Sequence, residues 1–299
     1  METSLYINTD RVQFACGSAG NKGVVVDAFG TVPLPPETVI NGIILNEGVF
    51  KDAVARAVEL SPLTNFEKLR VCIGGSSAMF KVREIPNMGE DKVLEWMKGE
   101  FASEDQLEEE ELIYDYATIA PGPEGGQTAL LCAIKKSILE QYIRLLGDLE
   151  ITISCIDVGI ASQVKLLNRM KEAEGKTFIM LYLIGNNLDA SLYVDGVLKI
   201  FVRSRLLYDR GSSGFEEELA QNISKMIQFN KSEGRDGAID SIYLAGFSQE
   251  KDWIQAQQEG GFAIPLKELS EAAAGEVTCN DGEFSINDYM CAVGNLIRE

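Results

Sequence analysis

Two stretches of the sequence restrict its fold more than any others. LYINTDRVQFACGSAGNKGVVVDAFGTVPL, starting at Leu5, and FIMLYLIGNNLDASLYVDGVLKIFVRS, starting at Phe178, each read as three runs of β-branched and aromatic residues broken by small polar turns. The turns fall at Thr9-Asp10 and Ser18 to Gly23 in the first stretch, and at Gly185-Asn186-Asn187 and Asp195-Gly196 in the second. Runs this short, joined by turns this tight, pair as antiparallel meanders. Two meanders about 175 residues apart point to an internally duplicated architecture.

A helix and then a buried strand come after each meander. VFKDAVARAVEL places Val49, Ala53, Val54, Ala57 and Val58 on one helical face and is stopped by Pro62, after which LRVCIGG reads as a buried strand. In the second half FEEELAQNISKMIQFN is an amphipathic helix with Leu219, Ile223, Met226 and Ile227 on its apolar face, and IDSIYLAGF is the strand after it. Strand, turn and helix in this order define an α/β class. Between the halves, AMFKVREIP, a helix from Gly89 to Phe101, LIYDYATIA, TALLCAI and a helix across Ser137 to Leu146 form a small α+β insertion; Ile138, Tyr142, Leu145 and Leu146 are that last helix's inward face. ITISCIDVG and IASQVKLLNRM return to the first lobe, and DYMCAVGNLIRE is a helix expected to return there at the end. The expected division is 1–75 and 151–172 for the first lobe, 76–150 for the insertion, 173–280 for the second lobe and 281–299 for the returning helix. At 299 residues the chain exceeds what one core of about 250 residues holds.

Charge narrows the chemistry. Acidic residues outnumber basic ones 46 to 27, a formal −19, and there is no histidine. A field of that sign repels a phosphate backbone, which sets nucleic acid aside as a partner. Without imidazole there is no histidine base, no histidine metal ligand and no activating partner for Ser76. The six cysteines, Cys16, Cys72, Cys132, Cys155, Cys279 and Cys291, show no CxxC spacing and read as buried free thiols of a reducing compartment. No apolar run reaches about 18 residues and no signal peptide precedes the first strand, so the expectation is a chain that neither spans nor enters a membrane.

Candidate ligand sites are the turns Asn8-Thr9-Asp10, Gly185-Asn186-Asn187 and Ala245-Gly246-Phe247, with the last helix around Ala292 and Gly294. A nucleotide cleft needs backbone amides near the phosphates and an acid to place a divalent metal. Two of these turns could supply amides, but neither strand before them supplies the acid. Gly74-Gly75-Ser76-Ser77 has a phosphate cradle's composition without a lysine at P-loop spacing, and reads as a turn. Arg203 and Arg205 alternate on a strand, solvated or lobe-bridging, with a ligand contact as the alternative. The acidic run Glu108 to Glu111 is a solvated approach to a strand, or a feature that steers a basic peptide.

In order and spacing, LPPETVINGIILNEGVFKDAVARAV, CIGGSSAMFKVREIP, DYATI, LLCAIKKSILEQYIRLLGDLEITISCIDVGIAS and the second meander resemble the type IV pilus assembly protein PilM family, within the actin-like ATPase superfamily. The resemblance covers nearly the whole chain. It implies a duplicated actin-like (ribonuclease H-like) α/β fold, with two lobes around a cleft and a small inserted α+β subdomain. It also implies a cytoplasmic scaffold recruited to the inner face of the membrane by a short segment of an inner-membrane pilus assembly protein, alongside other pilus machinery components. The places it suggests for that docking are Phe80 and Val82 on one strand and Val93, Leu94 and Met97 on the next helix. The family's first phosphate motif, Asp-Ile-Gly, falls on Tyr6, Ile7 and Asn8, followed by Thr9 and Asp10; the second falls on Leu183, Ile184 and Gly185, followed by Asn186; a paired glycine falls on Gly246 and Phe247. The motif acids are missing, and Phe247 either fills the base pocket or stacks on a base. The resemblance therefore implies a degenerate ATPase with no bound cofactor. The alternative is a working Mg-ATPase that uses Asp10, Asp157 and Asp189 from shifted positions.

Overall fold

The computed structural model of the protein describes residues 2–62, 67–75, 78–102, 111–232, 238–261 and 263–298. Ser76, Ser77 and Glu108 to Glu110, singled out in the sequence, lie outside the described residues. The chain forms two compact units, Met1–Lys165 with Cys291–Glu299, and Leu166–Met290. The crossings fall at 165/166 and 290/291, where the sequence places them at 172/173 and 280/281.

The first unit opens with β1 (Glu2–Ile7), β2 (Arg11–Gly20) and β3 (Gly23–Pro33), an antiparallel meander in the register Ile7↔Val12 and Gly20↔Gly23. The second turn is thus only Asn21-Lys22, because the ladder continues through Ser18 and Ala19. The segment after the prolines is a two-rung hairpin, β4 (Val39–Ile40) and β5 (Ile43–Ile44). Helix α1 (Glu47–Leu60) starts where Asn46 accepts a bond from the Val49 amide at 3.2 Å. Its buried face is Phe50, Ala53, Val54 and Ala57; Val49 and Val58 are only half-buried, because Phe50 rather than Val49 points at the sheet.

β6 (Glu67–Ile73) then lies parallel to β1. An excursion comes next: β7 (Ala78–Ile85), α2 (Glu90–Phe101), β8 (Leu112–Pro121) and β9 (Gln127–Lys135), with its own sheet ordered β7-β9-β8. α3 (Lys136–Gly147) leads back to β10 (Thr152–Val158), parallel to β6, and α4 (Gly159–Leu167) carries the chain out of the unit. Ile138, Tyr142, Leu145 and Leu146 of α3 are buried as their spacing predicts, and the Tyr142 ring meets Phe50 edge-on at 5.8 Å.

The second unit contains the meander β11 (Phe178–Ile184), β12 (Asn187–Val194) and β13 (Val197–Arg205). Asn187 pairs with Ile184, which leaves a two-residue turn at Gly185-Asn186. α5 (Ser213–Ser232) buries Phe215, Leu219, Ile223 and Met226 against this sheet, while Ile227 is half-buried at the margin of the same cluster. Beyond it come β14 (Ser241–Ala245), α6 (Lys251–Ala256), β15 (Leu266–Glu268), α7 (Leu269–Ala272) and α8 (Ile286–Gly294). α8 is the returning helix, and Cys291 onward belongs to the first unit.

Five strands of the first unit stand in the order β10-β6-β1-β2-β3, and those of the second in the order β13-β12-β11-β14-β15. Numbered within each unit, both orders are third, second, first, fourth, fifth, read from one edge or the other, with the last two strands parallel to the first. The duplication suggested by the two meanders extends to whole sheets.

Candidate functional site

The turns flagged in the sequence are held by their own side chains. Asn8 is buried, and its Oδ1 accepts the amides of Asp10 at 2.9 Å and Arg11 at 3.1 Å, an Asx turn that fixes the β1–β2 reversal. Thr9 is half-buried in the same turn. Gly185 has φ 56 in its hairpin, and the carbonyl of the exposed Asn186 accepts the Leu206 amide at 2.7 Å. Gly246 is confined: at φ +78 an added Cβ would meet the Leu183 carbonyl oxygen at 2.0 Å. Phe247 is buried in the second unit's core with its ring stacked on Trp253 at 6.2 Å, so it packs as a hydrophobic residue.

Each acid offered for metal binding already faces a cation. Asp10 takes both Nε and Nη2 of Arg11, at 2.9 and 2.8 Å. Asp157 takes Lys165 at 2.8 Å, caps the Val158 amide and accepts Ser162 at 3.4 Å. Asp189 is fully buried and takes Arg203 through two bonds of 2.5 Å, as its cross-strand partner in the β12–β13 register. Among the described residues no group of three Cys, Asp or Glu side chains converges on a point that would hold a metal ion. These carboxylates, each neutralised by a guanidinium or ammonium, do not fit a hydrated magnesium ion. Arg205 is exposed, and Glu111 pairs with Lys136 at 2.8 Å on the surface.

A different feature of the first unit is a groove with an apolar floor. It measures about 630 Å³ and runs between the inserted sheet and β10. One wall is the sheet face carrying Ile113 and Ala117 of β8 with Leu130, Cys132 and Ile134 of β9; the other is the consecutive run Ser154 to Val158 of β10. β8 and β10 are each the outermost strand of their sheet in the first unit, so two open strand edges flank one groove. Burial pushes the Cys132 thiol up to about 12, with Asp115 and Asp157 adding to the shift, so it stays protonated and serves as apolar wall.

The residues that the sequence nominated for docking divide between the two faces of the inserted sheet. Phe80 pairs with Cys132 and Val82 with Leu130, which puts both on the groove's face. Val93 and Met97 are buried, with Ile85, Phe101, Ala129, Leu131 and Ala133, in the cluster between α2 and the opposite face; they offer no surface to a partner. Leu94 is exposed on α2 away from that cluster. The β8 and β10 linings were not among the residues that the sequence nominated for docking. The period-two pattern Ile113, Asp115, Ala117 is the signal that marks one of them.

Two sheets of identical strand order, the first interrupted by an inserted α+β excursion, define the actin-like ATPase fold, and this chain has it. No family model matches the sequence, and no curated protein matches it. Among solved structures the chain is similar to a PilM-PilN type IV pilus biogenesis complex, at 14% identity over 99% of this chain and 97% of that one, with a TM-score of 0.77. It is also similar to a Bacteroides thetaiotaomicron protein of actin-like ATPase fold and unknown function, at 10% identity over 91% of each chain, with a TM-score of 0.53. At these identities the likeness is one of fold.

Proposed function

We propose that this protein is a cytoplasmic scaffold of a type IV pilus or related secretion assembly machine, held at the inner membrane by gripping a short extended segment of a membrane-anchored partner. The observation that carries the reading is the groove between β8 and β10. A peptide laid there finds a strand edge on each flank and apolar side chains beneath, the requirements of strand addition. The likeness in fold to a structure solved as a PilM-PilN complex supports the same reading. No residue in this scheme performs chemistry; Asp10, Asp157 and Asp189 hold the frame.

The test uses labelled synthetic peptides covering the cytoplasmic segments of single-span proteins encoded beside this chain's gene. Fluorescence anisotropy against the full chain should give micromolar binding for one of them. Ala117→Trp, which fills the groove from the β8 wall, should weaken it at least thirtyfold while the thermal unfolding curve stays in place. Equal affinity for the wild type and Ala117→Trp would rule the groove out as the docking site.

A further inference from the structure

The charges around the groove do not cancel, although the protein as a whole is strongly acidic. Its lining holds four cations, Lys68, Arg70, Lys165 and Arg298, against three carboxylates, Glu2, Asp115 and Asp157. Lys165 is matched by Asp157 at 2.8 Å, and Arg298 is bonded to Glu2. Among the described residues Lys68 has no carboxylate partner, and Arg70 is held only by the uncharged carbonyl of Asn295, through Nε at 2.5 Å. Lys68 and Arg70 therefore stand without a carboxylate beside the N-terminal half of β10, while Asp115, the third carboxylate, lies on the β8 wall without a cation among the described residues. The lining keeps an excess of one positive charge in a chain of net −19.

The backbone sets one of them apart. In the β6–β10 ladder Glu67 pairs with Thr152, Leu69 with Ile153 and Arg70 with Cys155, so Lys68 and Ser154 are left out of register. Lys68 has φ +83, a region that side-chain-bearing residues rarely adopt, and Ser154 Oγ pins the irregularity by donating to the Leu69 carbonyl at 3.0 Å. A bulge of this kind redirects a side chain out of the regular alternation, and is common beside binding sites.

We propose that the segment seated in the groove carries a carboxylate, received by Lys68 and Arg70 beside the start of β10, and that this contact fixes the direction and register of an otherwise apolar strand. The proposal rests on the docking reading and adds to it the chemistry of the occupant. Main-chain pairing alone tolerates slippage, since strand edges accept any sequence in either direction. One charged contact at one end removes that freedom.

The experiment is a selection of a displayed library of random peptides, about twelve residues long, on the full-length protein, with the Ala117→Trp chain used to discard sequences that bind elsewhere. Groove binders should share Asp or Glu at a fixed offset from a pair of apolar residues. Replacing that acid by Asn or Gln in a synthetic copy should weaken binding about tenfold, as expected for one charge-assisted hydrogen bond at a partly exposed site. Selection on Lys68→Glu, a change at an exposed position, should remove the preference for acids, and Lys68→Gln should narrow the distinction between acid and amide to the share that Arg70 retains. Groove binders with no acid preference, bound equally well by wild type and Lys68→Gln, would overturn this inference and leave the docking reading standing. A selection that yields only sequences indifferent to Ala117→Trp, or none, would overturn both.

Discussion

Replacing Asp189 by Asn tests whether that residue is a structural or a catalytic acid. Its carboxylate is fully buried and bonded twice to Arg203, whose side chain is only 16% exposed. The variant keeps the shape and removes the carboxylate charge that the enclosed guanidinium faces, beside the Phe201 ring 5.6 Å away. Breaking a buried pair from one side costs about 3–5 kcal/mol, and the residual access of Arg203 to water points to the lower figure, about 3 kcal/mol. For a unit of this size, that lowers Tm by roughly 10 °C. Thermal unfolding followed by circular dichroism gives the number. The internal control is Asp10→Asn: its pair with Arg11 is 37% and 34% exposed, and should cost no more than about 1 kcal/mol. The double variant Asp189→Asn/Arg203→Leu should recover much of the loss, because the stranded cation goes too. If Asp189→Asn melts within about 2 °C of wild type, the carboxylate is not engaged as described and its role as a frame residue fails.

The second unit offers two more tests. Gly246→Ala forces a Cβ onto the Leu183 carbonyl at 2.0 Å in a backbone with φ +78, and should destabilise by about 3 kcal/mol; chemical denaturation would show it as a lower midpoint at unchanged slope. Glu172 is held down to about 2, first by hydrogen bonds from Lys176 and Lys267. A depressed folded-state value stabilises above the ordinary glutamate range and is lost as pH falls through it. The stability gap between wild type and Glu172→Gln should therefore be constant from about pH 7 to 5 and close between about 4.3 and 2. A gap that widened on acidification would contradict the pairing.

The elements that could be read from sequence are those whose burial is set along one helix or one strand. α3 buries the four residues its spacing selects, and both meanders appear because tight turns leave few pairing choices. Periodicity identifies an apolar face without saying what covers it. Val93 and Met97 form such a face, yet they lie beneath the inserted sheet, while the groove is on its other side. The groove itself joins β8 and β10, separated in sequence by β9 and α3, and exists only because each ends its sheet within the unit. Edge position is a property of topology, and no local pattern records it. Lys68 was invisible for a related reason: strict alternation cannot foresee a residue skipped by the ladder.

The last residues of α8 have a consequence for biosynthesis. Gly294 lies where an added Cβ would sit 2.0 Å from the Ser162 carbonyl oxygen, and Asn295 donates to Ser4 at 2.9 Å while its own carbonyl holds Arg70. β1 is thus bonded to a residue made nearly three hundred codons after it. The two segments of the first unit are separated by the synthesis of everything from Leu166 to Met290, and a unit left incomplete for that interval is open to misassembly. The order of synthesis therefore lets the first unit close only after the second has been made.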